Sequence, residues 1–237
     1  MTESSSLLPV KDVYEISKEL FGYGYDVIGF LFPEIPSKII ARRAKNLITV
    51  MRSAQKILDE AGLKPEERNA VSLKLGLPII EKASLEEDPT LQELWANLLA
   101  NALNPNHSDK VRSIFIDIIQ SLSAFDVLIL NAFHISRHPL ITRPRNVVQV
   151  YTKEGYKSYP YEKIDASLSV LKALNLLTDV GQWELDPFSI LRNPRLSELN
   201  RLDKILQKTD THLTPLGVLF IDACIKDASG SRAETSD

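Results

Sequence analysis

Residues 84–102 read SLEEDPTLQELWANLLANA, and this stretch decides the fold class. Leu91, Leu94, Trp95, Leu98, Leu99 and Ala102 recur at the spacing of one apolar stripe on an α-helix. Asp88 is placed to cap the free N–H groups, and Pro89 suits the first helical position. Glu86, Glu87 and Asp88 put negative charge at the positive end of the helix dipole. Asn97 and Asn101 stand one turn apart, off the stripe, and if buried must find hydrogen-bond partners.

On the C-terminal side, NPNHSD (residues 104–109) reads as a turn. Val111, Ile114, Phe115, Ile118, Ile119 and Leu122 then repeat the helical stripe, so the two segments are expected to form an antiparallel pair. Ser123 and Asp126 have capping spacing before a further helix carrying Phe125, Leu128, Ile129, Ala132 and Phe133. On the N-terminal side, Pro36-Ser37 opens a long helix with Ile40, Ala44, Leu47, Met51, Ala54 and Leu58 inward and Gly62 as its stop. A shorter amphipathic helix precedes it, around residues 11–20. Pro78 is expected to break residues 65–83 into a connector and a short helix.

Farther along, residues 145–152 have strand composition, and residues 161–176 are helical. Leu177-Thr178 and His212-Leu213-Thr214 suggest short strands, and Pro215 opens a last helix. The expected fold is therefore mainly α: an N-terminal helical domain (11–122) followed by a winged-helix-like α+β domain with short strands (123–225). An insertion (179–211) splits the wing. Residues 1–10 and 226–237 read as disordered tails.

Bulk properties narrow the function classes. The 237-residue chain has a net charge of −3 and 25% charged residues, so bulk charge does not mark it as a binder of polyanions. One cysteine, Cys224, excludes an intramolecular disulfide and suits a reducing compartment; its apolar and acidic neighbours do not favour a thiolate. There is no signal-peptide pattern and no apolar run long enough for a transmembrane span, and a cytoplasmic protein is expected.

Chemistry-bearing constellations are sparse. Gly22, Gly24 and Gly29 follow a helix and precede no phosphate-binding signature, so they read as packing positions. His134 and His138 have helical metal-ligand spacing, but Pro139 follows at once and no third ligand joins them. No metal, cofactor or catalytic residue is assigned, although a cryptic hydrolase or nuclease remains a distant alternative. Two basic surfaces are candidate nucleic-acid or partner contacts. The first is the outer face of the long helix, with Lys38, Arg42, Arg43 and Lys45, then Arg52 and Lys56. It would bind phosphate backbones, or be solvated, or pair with Glu81, Glu86, Glu87, Asp88 and Glu93. The second is a loop at 137–161 in which Arg137, Arg143, Arg145, Lys153 and Lys157 interleave with Tyr151, Tyr156, Tyr159 and Tyr161. It would hold a single strand by charge and stacking, or, the favoured reading, be a solvated loop whose tyrosines seal the domain edge. The helix before the wing is expected to expose Glu162, Lys163, Asp165, Ser167, Ser169 and Lys172. That mixture suits protein contact or dimerisation better than base reading.

The sequence resembles the abortive-infection alpha family of bacteria. The pattern E-x-x-x-L-Q-x-L-W-A-x-L-L-A is met by Glu87, Leu91, Gln92, Leu94, Trp95, Ala96, Leu98, Leu99 and Ala100. A following F-x-x-x-L-x-x-L-S-x-x-D-x-x-x-L is met by Phe115, Leu122, Ser123, Asp126 and Leu130, with Ile119 where the pattern has Leu. Arg43, Asn46 and Leu47 upstream also fit. The resemblance spans residues 20–225 and is specific mainly across 81–130. It implies phage defence by arrest or death of the infected cell and carries over no catalytic residue. Together these readings favour a non-enzymatic protein acting with a protein partner or as a homo-oligomer. A nucleic-acid-binding regulator is the alternative.

Overall fold

A computed structural model describes residues 8–21, 37–136, 140–143, 147–179 and 211–225. The glycines at 22–29, Arg137, His138, Arg145, residues 1–7 and 226–237 of the expected tails and the polar helix expected within the 179–211 insertion lie outside these residues. Residues 8–10, also read as tail, are instead the first turn of a helix. The described residues are mainly helical, with eight α-helices and two small antiparallel sheets. They form two compact units, the described residues within 1–124 and 219–225, and those within 125–218.

The first unit is built on two helices that lie side by side. Helix α1 (Leu8–Phe21) packs along α2 (Ser37–Glu60). Helix α2 buries Ala44, Leu47, Val50, Met51, Ala54 and Leu58 completely. It ends where Gly62 takes φ 73°, the left-handed stop that a residue without Cβ adopts freely. A 3-10 turn (Pro65–Glu67) leads to α3 (Leu73–Ala83), and then α4 (Pro89–Leu103) runs along α2.

Two expectations are corrected here. Pro78 does not break residues 73–83, which form one helix. Proline costs such a helix about 3 kcal/mol. Burial of Gly76, Ile79, Ile80 and Ala83 across the proline offsets that cost. The stripe of α4 also finds α2, not the following helix, as its main neighbour. Helix α5 is only eight residues (Ile114–Ser121), too short to cover a 15-residue partner. It still buries Phe115, Ile116, Ile118 and Ile119. The Phe115 ring meets Phe220 edge-on, with centroids 5.6 Å apart.

The second unit begins with α6 (Ala124–Ile135) and a three-stranded sheet, order β1-β2-β3. Strand β1 (Leu140–Arg143) pairs with β2 (Val147–Thr152), and β2 pairs with β3 (Gly155–Pro160) in register Val147↔Pro160 to Thr152↔Gly155. The segment expected to be a basic and aromatic loop is thus largely sheet. Lys153-Glu154 make its tight turn, and Gly155 holds φ 101° beside them. Helix α7 (Tyr161–Ala173) buries Ile164, Ser167 and Leu171. Ser167, expected on the outer face, is turned inward instead, where its hydroxyl meets Asp126. The short strands β4 (Leu177–Asp179) and β5 (Thr211–Leu213) pair as expected. Helix α8 (Pro215–Cys224) follows.

At the entry to α8 the backbone is locked. The Thr214 hydroxyl donates to the Asn175 carbonyl at 2.5 Å and accepts from Gly217 N–H at 2.9 Å. Thr214 N–H donates to the Leu176 carbonyl at 3.0 Å. Asn175 sits at φ 57°, a left-handed conformation that asparagine tolerates better than most residues.

Candidate functional site

The acidic start of α4 and the basic face of α2 meet. Asp88 caps α4, accepting from Thr90 N–H at 2.8 Å and Leu91 N–H at 3.3 Å. Glu86 bends the chain into the cap, accepting from the N–H groups of Glu87 and Asp88. Its own carbonyl takes the Gln92 side-chain amide at 2.8 Å. Glu87 faces outward and pairs with Arg42. Arg43 points inward and donates to the Ser84 hydroxyl at 3.0 Å. Asn46, buried, donates to the Ser84 carbonyl at 3.2 Å. Ser84 is fully buried and its hydroxyl donates to the Glu81 carbonyl, so it organises the junction from both sides.

The residues picked from the basic face therefore divide. Arg43 is engaged inside the unit. Arg42 is exposed but neutralised by Glu87, and Lys56 pairs with Glu60 one turn on. Lys38, Lys45 and Arg52 are exposed, and no acid among the described residues pairs with them. Gln55, Asp59 and Glu60 join Arg52 and Lys56 around a shallow open depression near the end of α2.

The second basic set lies on the sheet of the other unit. Arg143 ends β1, and Lys153 is exposed in the β2–β3 turn. Lys157 is exposed on β3 and bonded at 2.6 Å to Glu154, whose carboxyl is held below the usual carboxylate range by that hydrogen bond. Its tyrosines serve the sheet. Tyr151 and Tyr156 meet edge-on at 5.1 Å, and Tyr159 meets Phe125 at 5.0 Å. Lys163 sits 4.1 Å over the Phe125 ring. Such a cation–π contact occupies the aromatic surface with the chain's own lysine.

The remaining signature residues build the interior. Leu91, Trp95 and Leu98 are buried on α4, and Phe115 is buried on α5. Asn101 is 1% exposed; its amide donates to the Ala223 carbonyl at 2.9 Å, and its oxygen lies 3.0 Å from His107 Nδ1. Asn97 is buried too, but among the described residues its Oδ1 finds no partner, and neither does the indole N–H of Trp95. Ser123 is exposed, directly ahead of α6. Asp126 is buried and accepts from the Ser167 hydroxyl at 2.5 Å. Burial raises the Cys224 thiol well above its ordinary pKa, which keeps it protonated. Among the described residues no three His, Cys, Asp or Glu side chains come together as a metal-binding group.

Several positions escaped sequence reasoning. Ser84 and Ser167 look like ordinary polar residues until their partners, 41 positions away in each case, are known. Arg68 also stands out: its side chain is 2% exposed, bonded to Asp59 at 2.9 Å and the Leu63 carbonyl at 3.3 Å. The signal at Thr214 was available, because Thr-Pro before an apolar run marks a helix start.

A family model described as abortive infection alpha matches residues 42–224. No curated protein and no solved structure matches the chain.

Proposed function

The chain belongs to the abortive infection alpha family, and from that premise we propose that it acts in bacterial phage defence as a non-enzymatic association protein. It works in the cytoplasm, where its single thiol stays reduced. The observation that carries the reading is the division of the basic face of α2. Arg42 and Arg43 serve the junction with α4, whereas Lys38, Lys45 and Arg52 form an exposed row to which no acid among the described residues is paired. A row of exposed cations along one helix is a docking surface for an acidic partner. The acids and polar groups of the signature support the non-enzymatic part. Asp88 caps, Glu87 pairs, Asp126 holds Ser167 and Asn101 holds Ala223, so each has an architectural use.

We read residues 123–225 as a winged-helix-like module turned to protein contact, with the 179–211 insertion in its wing. The order helix α7, strand β4, strand β5, helix α8 supports this, as does the mixed charge of Glu162, Lys163 and Asp165 on the exposed side of α7. A second copy of the chain is the natural alternative partner for this face.

The test is phage plating on cells producing the chain or its Lys38→Glu, Lys45→Glu, Arg52→Glu triple variant. Protection should fall while the thermal melt is unchanged. Full protection by a folded triple variant would refute docking through α2.

A further inference from the structure

We infer that the exposed row of α2 binds the phosphate backbone of double-stranded nucleic acid without reading its sequence. The inference rests on the association reading above and names the partner class. Lys38, Lys45 and Arg52 are seven residues apart, and seven residues turn an α-helix through nearly two full revolutions. The three cations thus fall on one line, about 10.5 Å apart. Arg42, Thr49 and Lys56 form a second line beside it, again at seven-residue spacing, and all six residues are exposed. The row extends about 27 Å from Lys38 to Lys56. Among the described residues the acids bonded to it are Glu87, at Arg42, and Glu60, at Lys56; Asp59, which continues the line seven residues after Arg52, is bonded to Arg68. The Arg42 and Lys56 pairs are half-exposed ion pairs of the kind that exchange partners at little cost.

The same helix argues against the other polyanions. Peripheral membrane binding combines cations with apolar side chains that enter the lipid boundary. Here Ala44, Leu47, Val50, Met51, Ala54 and Leu58 are fully buried in the unit, and Ile39 is the one large apolar side chain of α2 left exposed. Single strands are held by bases stacked on aromatic rings. Residues 37–60 contain no Phe, Tyr or Trp. Base reading needs Arg, Asn or Gln fitted into a groove. Asn46 is buried against Ser84, and three of the row's five cations are lysines, point charges that suit phosphates. What is left is a cationic edge along one helix, with charges repeating about every 10.5 Å, which suits the regular phosphate lattice of a duplex.

The full chain is titrated by fluorescence anisotropy against a labelled duplex of arbitrary sequence, the same oligonucleotide as a single strand, and phosphatidylcholine vesicles doped with phosphatidylserine. Duplex binding is expected to be strongest and equal for unrelated duplexes. The slope of log affinity against log salt should lie between about −2.7 and −4.5, or 0.9 for each of three to five phosphates neutralised. The Lys38→Glu, Lys45→Glu, Arg52→Glu variant should lose at least about tenfold in affinity, and its Gln counterpart a smaller amount in the same direction. Absent duplex binding at low salt, preference for vesicles or single strands, or unchanged affinity in both variants would overturn the inference. If no duplex binds and the charge-reversed variant still loses phage protection, the nucleic-acid assignment falls and the association reading stands. A variant that loses duplex binding and protects fully overturns the association reading.

Discussion

The side-chain amide of Asn101 donates to the Ala223 carbonyl at 2.9 Å, a bond that closes 122 residues of chain. It joins the signature helix to the last helix of the described chain. The same side chain meets His107 through its oxygen, so both ends of the amide are used. Asn97, one turn earlier and equally enclosed, finds no partner for its oxygen among the described residues.

That contrast gives the first prediction. Asn101→Ala strands a buried carbonyl and removes the partner of His107, which should cost about 1–3 kcal/mol in urea unfolding. Asn97→Ala gives up no such bond at its oxygen and should cost clearly less. Equal losses in the two variants would show that the partnering of Asn101 is not what stabilises this junction.

Asp126 and Ser167 provide the second. The acid lies in the first turn of α6 and the hydroxyl on the inner side of α7, both buried. Ser167→Ala removes a donor from a buried carboxyl, and the expected loss is about 1–3 kcal/mol. Ser167→Thr keeps the hydroxyl but adds a methyl group to a closed site, so it should restore only part of the stability. A Ser167→Ala protein as stable as the parent would mean that the bond contributes nothing net.

Glycine replacements separate close packing from flexibility. A Cβ on Gly217 would lie 2.2 Å from the Leu176 carbonyl oxygen, and that oxygen belongs to the backbone lock around Thr214. Gly217→Ala should therefore destabilise by about 1–3 kcal/mol. Gly76, within α3, would place its Cβ 3.4 Å from the Val71 side chain, an ordinary contact. Gly76→Ala should be neutral or stabilising by up to about 1 kcal/mol, because alanine favours the helix. Thermal melts of the two variants must move in different directions, or by very different amounts, for this to hold.

Acid sensitivity should be traceable to Asp179. Its carboxyl is held below the ordinary aspartate range by the hydrogen bond from Lys172, then by that from Thr211. A depressed folded-state pKa adds stability that is present above the unfolded value, near 4, and is lost as pH falls through the lower folded value. Asp179→Asn should flatten the stability profile below about pH 4 and leave its shape near neutrality unchanged. The group is exposed, so the effect should stay under about 1 kcal/mol. A variant with the same acid limb as the parent would place the titration elsewhere.

Helix α4 was legible because its signals are local. The Asp88-Pro89 start, the stripe from Leu91 to Ala102 and the turn after Leu103 all lie within one short window. The partner of its apolar stripe was not legible from spacing, which says that a face is buried and not what buries it; only the charge match with the basic helix pointed to α2. The same limit hid β1 and β3. GYKSYP lacks β-branched residues, and only the Lys153-Glu154-Gly155 turn chemistry betrayed a hairpin. Pro78 misled for the opposite reason: a strong local breaker was overridden by tertiary burial on both sides of it. The polar residues behaved likewise. Glu87 and Asp88 could be placed from charge and capping rules, whereas Ser84 and Ser167 depend on contacts 41 residues distant.

Arg42 and Arg43 are neighbours in sequence with opposite environments, and their variants should diverge. The Arg42–Glu87 pair is exposed on both sides, 68% and 53% by side chain, and pairs of that kind contribute about 0–1 kcal/mol. Arg42→Ala should leave unfolding nearly unchanged. Arg43 donates to the hydroxyl of Ser84, which is fully buried and also bonded to the Glu81 carbonyl. Arg43→Ala takes away that charged donor and the packing of its aliphatic stem, with an expected loss of about 1–2 kcal/mol. Ser84→Ala should cost a similar amount, and the double variant should cost less than the sum of the two, because both report the same contact. Additive losses would mean that Arg43 and Ser84 act independently, and that the bond between their side chains does not hold this junction.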